Sequence, residues 1–336
     1  MKALILTEIN HIELQEIPTP TPTSGQVLVR ISAAALNRRD EWARIGMYPG
    51  MTYNCVLGAD ACGTVLEIGA NVSAEWQNKE VIFNPNRSWG DNPEAQSSSY
   101  NILGMPSNGT FSEFMVIDAD RLHLKPNFLT HEQAAALPLA GLTAFRAVFR
   151  RGNIKKGDKV LVTGIGGGVA QMVAQMAQAV GASVYVTSGD DKKLDFMKDL
   201  SILGVNYKTP NWHKELLKFP EIAQNNGFDV IIDSAGGDDF NLLLRSLRPA
   251  GTLVFYGATL GSPQKLDMPR IFFGQYTIKG STMGNDVEFA EMLTFVEKHR
   301  IIPIIDSVRP FENIISAFED MRNGKIFGKL VVSMKD

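Results

Sequence analysis

The sequence predicts an α/β protein: a doubly wound parallel sheet in the middle of the chain, with β-rich segments on either side of it. Three observations carry this. Short Val-, Ile- and Leu-rich runs broken by Pro and Gly fill the first 125 residues. From Gly157 onward, strand patterns alternate with helical ones. A glycine cluster, Gly164-Ile-Gly166-Gly167-Gly168, ends one of those strands and opens a helix. Alternation of this kind builds a parallel sheet, because each return crossing is made by a helix packed on a sheet face. The expected division is 1–125 as the first part of a β-rich domain, 126–265 as a nucleotide-type domain and 266–336 as the remainder of the first.

The apolar runs at 2–6, 26–32, 63–68, 80–83 and 111–117 read as antiparallel, barrel-like strands, set apart by turns such as Pro18-Thr-Pro-Thr-Pro22 and Ser24-Gly25. Residues 84–108 are polar, hold Trp89 and three consecutive serines, and show little apolar period, so they are expected as an ordered surface lobe or lid. Thr130 with Gln133 three residues on has the capping-box pattern and starts an Ala-rich helix that runs to Pro138. A further helix is expected over 142–150. Strands at 159–163, 182–187, 229–233 and 251–256 then alternate with helices at 168–180, 192–200 and 240–247. The tail adds a strand at 276–279, helices at 287–299 and 312–321, and a closing strand at 329–333.

Composition removes several classes of function. Thirty-three basic against 36 acidic residues give a net charge of −3, and the basic residues nowhere cluster, so no nucleic-acid partner is expected. The opening residues alternate apolar and polar types and carry early acids, unlike a signal peptide, and no apolar run nears the ~18 residues that span a bilayer. No membrane association is expected. The two cysteines, Cys55 and Cys62, are too few for a disulfide framework or a four-cysteine zinc site. A reduced, cytoplasmic setting fits them.

The glycine cluster is the most informative stretch. Glycines at a strand–helix junction permit a tight turn and let backbone N–H groups approach a pyrophosphate, whose charge the helix N-terminus also favours. The third glycine of G-x-G-x-x-G is replaced by Val169, while Gly164, Gly167 and Ala170 give a G-x-x-G-x-x-A frame. Such a turn by itself merely connects a strand to a helix; its place in a βαβ unit gives it the dinucleotide reading. About 20 residues on, where an acid would bind the ribose 2′-hydroxyl of NAD, the chain has Ser188 with Lys192 one turn further. A hydroxyl and an ammonium suit a 2′-phosphate, which favours NADP(H). Asp190 and Asp191 keep NAD open, with Ser188 then a turn residue and Lys192 a solvated position.

Further motifs stand in order along the chain: 26–37 followed by Asp40 and Gly46-Met-Tyr48-Pro, Gly58-Ala-Asp-Ala-Cys-Gly63, Ala136-Leu-Pro-Leu-Ala-Gly141-Leu-Thr143, the glycine loop, Phe228-Asp-Val-Ile-Ile-Asp233, Ile278-Lys-Gly-Ser-Thr-Met-Gly284 and Phe327-Gly-Lys-Leu330. In these the chain resembles the medium-chain dehydrogenase/reductase superfamily, and within it the quinone oxidoreductase-like and zinc-type but cysteine-poor branches. The resemblance covers essentially the whole chain. It implies a discontinuous GroES-like catalytic domain made from both chain ends around a central Rossmann domain, with the nicotinamide in the cleft. It implies Thr143, Gly257 and Gly284 around the nicotinamide, Gly167, Gly168 and Val169 at the pyrophosphate, beside Gly164 of the glycine frame, and Ser188, Lys192 and Tyr207 at a 2′-phosphate. Zinc-dependent members have a cysteine where this chain has Asn37, a His-Glu pair at Ala59-Asp60, and a cysteine or acid near Leu139. No metal is therefore expected.

Asn37, Asp40 and Tyr48 are the catalytic candidates, with Arg39 nearby, and Trp42, Trp89 and Phe273 are candidates for the substrate side. Asn37 and Tyr48 offer hydrogen-bond donors, whereas Asp40 can equally be a structural partner of the backbone or an arginine. Cys62 and Met283 are expected in the core. Without a metal to stabilise a developing alkoxide, activated acceptors are favoured. The expected activity is NADPH-dependent reduction of quinones or α,β-unsaturated carbonyls; an alcohol or aldehyde dehydrogenase and a non-catalytic NADPH sensor are the alternatives. The resemblance implies a Rossmann sheet whose edge strand pairs with its two-fold mate, and 276–279 reads as such a strand, apolar and unprotected until Lys279, so a homodimer is expected.

Overall fold

The computed structural model describes residues 1–334 and divides into two compact units, Met1–Leu142 together with the chain from Gly284 onward, and Thr143–Met283. Both boundaries fall later than the expected 125/126 and 265/266. The helix His131–Ala135 packs on strands of the first unit, and Thr277–Gly280 pairs with a strand of the second. The last two positions of the expected 266–336 segment lie outside the described residues.

In the first unit, the strands Leu122–Leu124, Glu80–Phe83, Asp60–Ile68, Gln26–Ala35, Lys329–Ser333 and Ile305–Pro310 lie side by side in that order, and Phe114–Asp118 also pairs with Gln26–Ala35. All pairings are antiparallel except the one between Lys329–Ser333 and Ile305–Pro310. Gln26–Ala35 is the hub, and its last three residues are alanines with no exposed surface. Their small side chains let neighbouring segments close on both faces of the strand.

The capping box at Thr130 is present, with the Thr130 hydroxyl accepting from Gln133 N at 3.2 Å and Gln133 Oε1 accepting from Thr130 N at 3.0 Å. The next helix begins at Pro138 rather than 142, because proline is well tolerated in the first turn, where its missing N–H has no helical partner. It runs to Phe145 and continues as a π-helical segment over Arg146–Arg151.

The second unit holds a six-stranded, all-parallel sheet ordered Leu203–Asn206, Ser183–Ser188, Lys159–Val162, Phe228–Asp233, Leu247–Phe255 and Thr277–Gly280. The central strands are buried along nearly their whole length, as a sheet covered on both faces requires. The order reverses between Lys159–Val162 and Phe228–Asp233, and ligands of such sheets bind beyond the carboxyl ends of the strands at that switch point. The helix Gly168–Ala179 buries Ala170, Met172, Val173, Met176 and Ala177, and Gly181 follows it with φ +87°, a left-handed C-terminal stop.

Candidate active site

Strand register assembles the polar centre of the first unit. Ala35 pairs with Asp60 on one side and with Val331 on the other, and Leu36 N donates to Leu330 O. Continuing that antiparallel register sets Asn37, just past the end of its strand, against Lys329 at the start of the neighbouring one. Lys329 Nζ donates to Asn37 Oδ1 at 2.5 Å and to Asp60 Oδ2 at 3.1 Å, while Asn37 Nδ2 donates to Asp60 Oδ2 at 2.9 Å. Asp60 Oδ1 accepts from Leu139 N at 2.8 Å. Asn37, Asp60 and Lys329 are all buried. An ammonium only donates and a carboxylate only accepts, so together they fix the orientation of the Asn37 amide and leave one Nδ2 hydrogen uncommitted.

Around this core, Asp40 Oδ2 accepts the backbone N–H of Asn37 at 2.8 Å, closing the start of the helix Arg38–Arg44. Asp40 Oδ1 lies 3.4 Å from Arg39 Nη1, which also donates to Leu103 O at 2.7 Å. The Arg39 guanidinium stands 4.6 Å above the ring of half-buried Tyr48. Burial pushes the Asp40 carboxyl up to about 6, against the opposing pull of Arg39, the Asn37 N–H and Lys329. Asp40 thus holds the backbone and Arg39, the structural role the sequence left open.

Trp42 is half-buried on the same helix. Trp89 does not join the group. Its indole N–H donates to Asn92 O at 2.9 Å, its ring packs edge-on against Tyr100, and it lines a cavity of about 620 Å³ with Arg87, Arg121 and Asp286 rather than with Asn37 or Tyr48. Phe273, in the helix Met268–Gly274 of the second unit, is 80% exposed beside Phe272. Sequence reasoning missed Lys329 as a site residue. Its signal was a lysine opening an otherwise apolar strand, whose partner across the sheet only the register reveals.

In the second unit, Asp233 Oδ1 accepts from Thr163 Oγ1 at 2.5 Å and Oδ2 from Gly236 N at 2.8 Å, tying together the ends of the two strands that flank the switch point. Gly164 has φ +62° and donates to Thr187 Oγ1 at 3.2 Å. Glycine takes that left-handed conformation at no steric cost. The loop leads into the helix at Gly168, where Gly167, Gly168 and Val169 are exposed or half-exposed and the first-turn N–H groups have no helical acceptor. These residues fit the pyrophosphate of a nicotinamide dinucleotide.

Beyond the next strand, buried Ser188 accepts Asp190 N through Oγ at 3.1 Å and Tyr207 N through its carbonyl at 3.0 Å. Asp190 caps the helix Asp191–Asp199 by accepting Lys192 N at 3.0 Å, and Asp191 accepts from Asn206 Nδ2 at 2.7 Å. Both acids are therefore engaged by the chain itself, and Lys192 is exposed. Thr143 is buried, its hydroxyl 3.7 Å from the Met283 sulfur. Gly257 lies close to the Ser234 carbonyl, where a Cβ would stand 3.0 Å from its oxygen. A Cβ on Gly284 would meet Leu142 Cδ1 at 2.6 Å and Glu288 Oε2 at 2.8 Å, so any larger residue there must displace those two side chains.

A parallel sheet with a glycine loop at its switch point and a separate β-rich unit containing a buried polar centre define a dinucleotide-dependent oxidoreductase class. Residues 23–127 match the family described as "Alcohol dehydrogenase GroES-like domain" and residues 168–298 the one described as "Zinc-binding dehydrogenase". The chain belongs to the medium-chain dehydrogenase/reductase superfamily. It is 36% identical to the "Zinc-type alcohol dehydrogenase-like protein YogA" of Leptosphaeria maculans, over 96% of this chain and 94% of that one. It is 28% identical to the "Acryloyl-coenzyme A reductase" of Sulfurisphaera tokodaii, over 99% of both. A solved structure titled "Crystal Structure of NAD-dependent alcohol dehydrogenase" superposes with a TM-score of 0.93 at 32% identity, covering 100% of both chains. The protein is an oxidoreductase of this superfamily, whose members use nicotinamide cofactors.

Zinc, which the family description names, does not fit the residues present. Among the described residues no group of three His, Cys, Asp or Glu stands together. Cys55 and Cys62 are buried free thiols, and burial pushes Cys55 up to about 11 and Cys62 higher still, away from the thiolate that would bind a metal. At Asn37 and Asp60, the place for a cation is taken by the Lys329 ammonium.

Proposed function

We propose that this protein is a zinc-independent, NADPH-dependent reductase of quinones or α,β-unsaturated carbonyls. The observation that carries the reading is the Asn37–Asp60–Lys329 centre, which offers fixed hydrogen-bond donors and an internal cation but no metal-ligand set. Bound NADPH supplies the hydride. Asn37 offers its uncommitted Nδ2 hydrogen to an acceptor oxygen, and Tyr48, its ring held beneath Arg39, offers a phenolic proton. Donors of this strength suit a conjugated acceptor, in which the incoming charge spreads into an enolate or hydroquinone, better than a simple alkoxide.

The preference for NADPH rests on Ser188, Lys192 and Tyr207, with Asp190 and Asp191 already committed within the chain. Lys192→Ala is expected to weaken NADPH about tenfold and leave NADH nearly unchanged, from the ~1.5–3 kcal/mol of a charged hydrogen bond to phosphate. The substrate is a small molecule, with no nucleic-acid partner. Among the described residues no helix is long and apolar enough to cross a membrane. The free cysteines accord with a cytoplasmic location.

The reading extends to a homodimer joined through Thr277–Gly280, one of the two outer strands of the parallel sheet, which follows the helix that carries exposed Met268, Phe272 and Phe273. The deciding experiment for the activity is NADPH oxidation by the purified chain with a panel of quinones, enones and aldehydes. Turnover with quinones or enones is expected. Alcohol-dependent reduction of NADP⁺ without enone turnover would instead favour an alcohol dehydrogenase, and tight cofactor binding without any turnover a sensor.

A further inference from the structure

Arg39 is buried, yet most of its guanidinium is unpartnered. Nη1 donates to Leu103 O at 2.7 Å and to Asp40 Oδ1 at a long 3.4 Å. Nε and Nη2 are buried and bond to nothing among the described residues. Cys55, close enough to feel the Arg39 charge, is kept a neutral thiol by burial and does not offset it. Three charged N–H donors thus stand unmet away from solvent, an exception that a folded chain bears only at a cost. The guanidinium is also held in place, by Leu103 O at one end and by the Tyr48 ring, whose centre lies 4.6 Å from its carbon. Nε–H and one Nη2–H point the same way, the side-on fork that takes two coplanar oxygens at once. The loop 46–54 covers the group through Tyr48, and in that loop every residue except Tyr48 and Met51 is exposed. Turning one half-buried ring aside moves no backbone.

We infer that Arg39 is a specificity-determining residue that receives, through Nε and Nη2, an acceptor with two adjacent coplanar oxygens: a carboxylate carried by an α,β-unsaturated ketone, or the vicinal carbonyls of an ortho-quinone. The inference rests on the quinone and enone reading and narrows its substrate class. Two parallel bonds to one planar group fix its orientation as well as its position, next to the donors Asn37 and Tyr48. A lysine here would supply a point charge without the fork. An ester or a para-quinone offers no such oxygen pair and leaves the donors unmet.

The test is NADPH oxidation by the wild-type chain with matched acceptors: β-acetylacrylate against its methyl ester, and ortho-naphthoquinone against para-naphthoquinone. The acid is expected to exceed its ester about tenfold or more in kcat/KM, or the ortho-quinone its para isomer, and which pair separates identifies the source of the two oxygens. Arg39→Lys keeps the charge and loses the fork. It is expected to bring the favoured member of the pair within about twofold of the other, through KM more than kcat. No preference in either pair, or one that survives Arg39→Lys, overturns the inference while the reductase reading stands. Failure to turn over any acceptor overturns that reading instead. The fork is then decided by levulinate, the saturated analogue of β-acetylacrylate, through its effect on the melting temperature. Stabilisation of the wild type by levulinate and not by methyl levulinate supports the fork, even where Arg39→Lys does not fold, and equal or absent stabilisation overturns it.

Discussion

Lys329 Nζ lies 3.1 Å from Asp60 Oδ2, with both side chains buried and the Asn37 amide bonded to each of them. Two residues 269 positions apart in the chain thus form one buried ion pair, closed by sheet register. Removing one partner of such a pair leaves an unpaired charge in a poor solvent for it, at a cost of about 3–5 kcal/mol.

Lys329→Met should therefore destabilise the protein by about that amount, and the double variant Lys329→Met, Asp60→Asn should recover part of the loss because the stranded charge is gone. Chemical denaturation of the wild type, both single variants and the double variant measures this. Simple addition of the two single losses would mean that the pair does not act as a unit.

The same pair orients the Asn37 amide, which gives a kinetic prediction. Asn37→Ala should lower turnover with quinone or enone by about 10²-fold, the scale for loss of one oxyanion donor. Lys329→Met should lower turnover in the wild-type background and have much less effect in the Asn37→Ala background. An equal loss in both backgrounds would assign Lys329 a role that does not pass through Asn37.

Asp40 titrates at about 6 in the folded chain against an ordinary value of 3.8, because burial disfavours its charge. The folded state then binds the proton more tightly than the unfolded one, and the contribution of this group to stability falls as pH rises from about 4 to about 6. Asp40→Asn has no such dependence. The wild type should gain stability relative to Asp40→Asn as pH is lowered through that window, and melting curves of the two proteins at matched pH should converge or cross accordingly. A constant difference across the window would contradict the raised value.

Elemental analysis should find well under one zinc per chain, and activity should persist in chelator, because fewer than three good ligands bind zinc weakly and Lys329 stands at Asn37 and Asp60. Asn37→Cys alone should not create an alcohol dehydrogenase. Stoichiometric zinc with chelator-sensitive alcohol oxidation would replace both the mechanism and the substrate class.

Light scattering should give the mass of a dimer at micromolar concentration, and Phe272→Glu with Phe273→Glu should shift it toward monomer if the exposed rings lie at the interface. A wild-type monomer removes the homodimer, and an unaffected dimer moves the interface elsewhere.

The sequence by itself determined the α/β class, the parallel unit and the glycine loop, because each rests on short-range chemistry. Apolar period separates strands from helices, and the Thr130–Gln133 cap and the Gly181 stop are read within a few residues. It also placed Ser188 at the end of its strand. It did not show which distant residues would share a site. Trp89 looked like a cleft aromatic, and only its bond to Asn92 and its contact with Tyr100 turn it into packing of the 84–108 lobe. The edge strands Leu203–Asn206 and Ile305–Pro310 escaped a local reading because their patterns are short and half-exposed, and the helix start at Pro138 did so because its residues are buried all round and show no amphipathic period. Tertiary structure alone decided that Lys329 meets Asn37 and Asp60. That meeting depends on pairing between strands, and a register is fixed by the burial of whole faces rather than by any residue that a single segment displays.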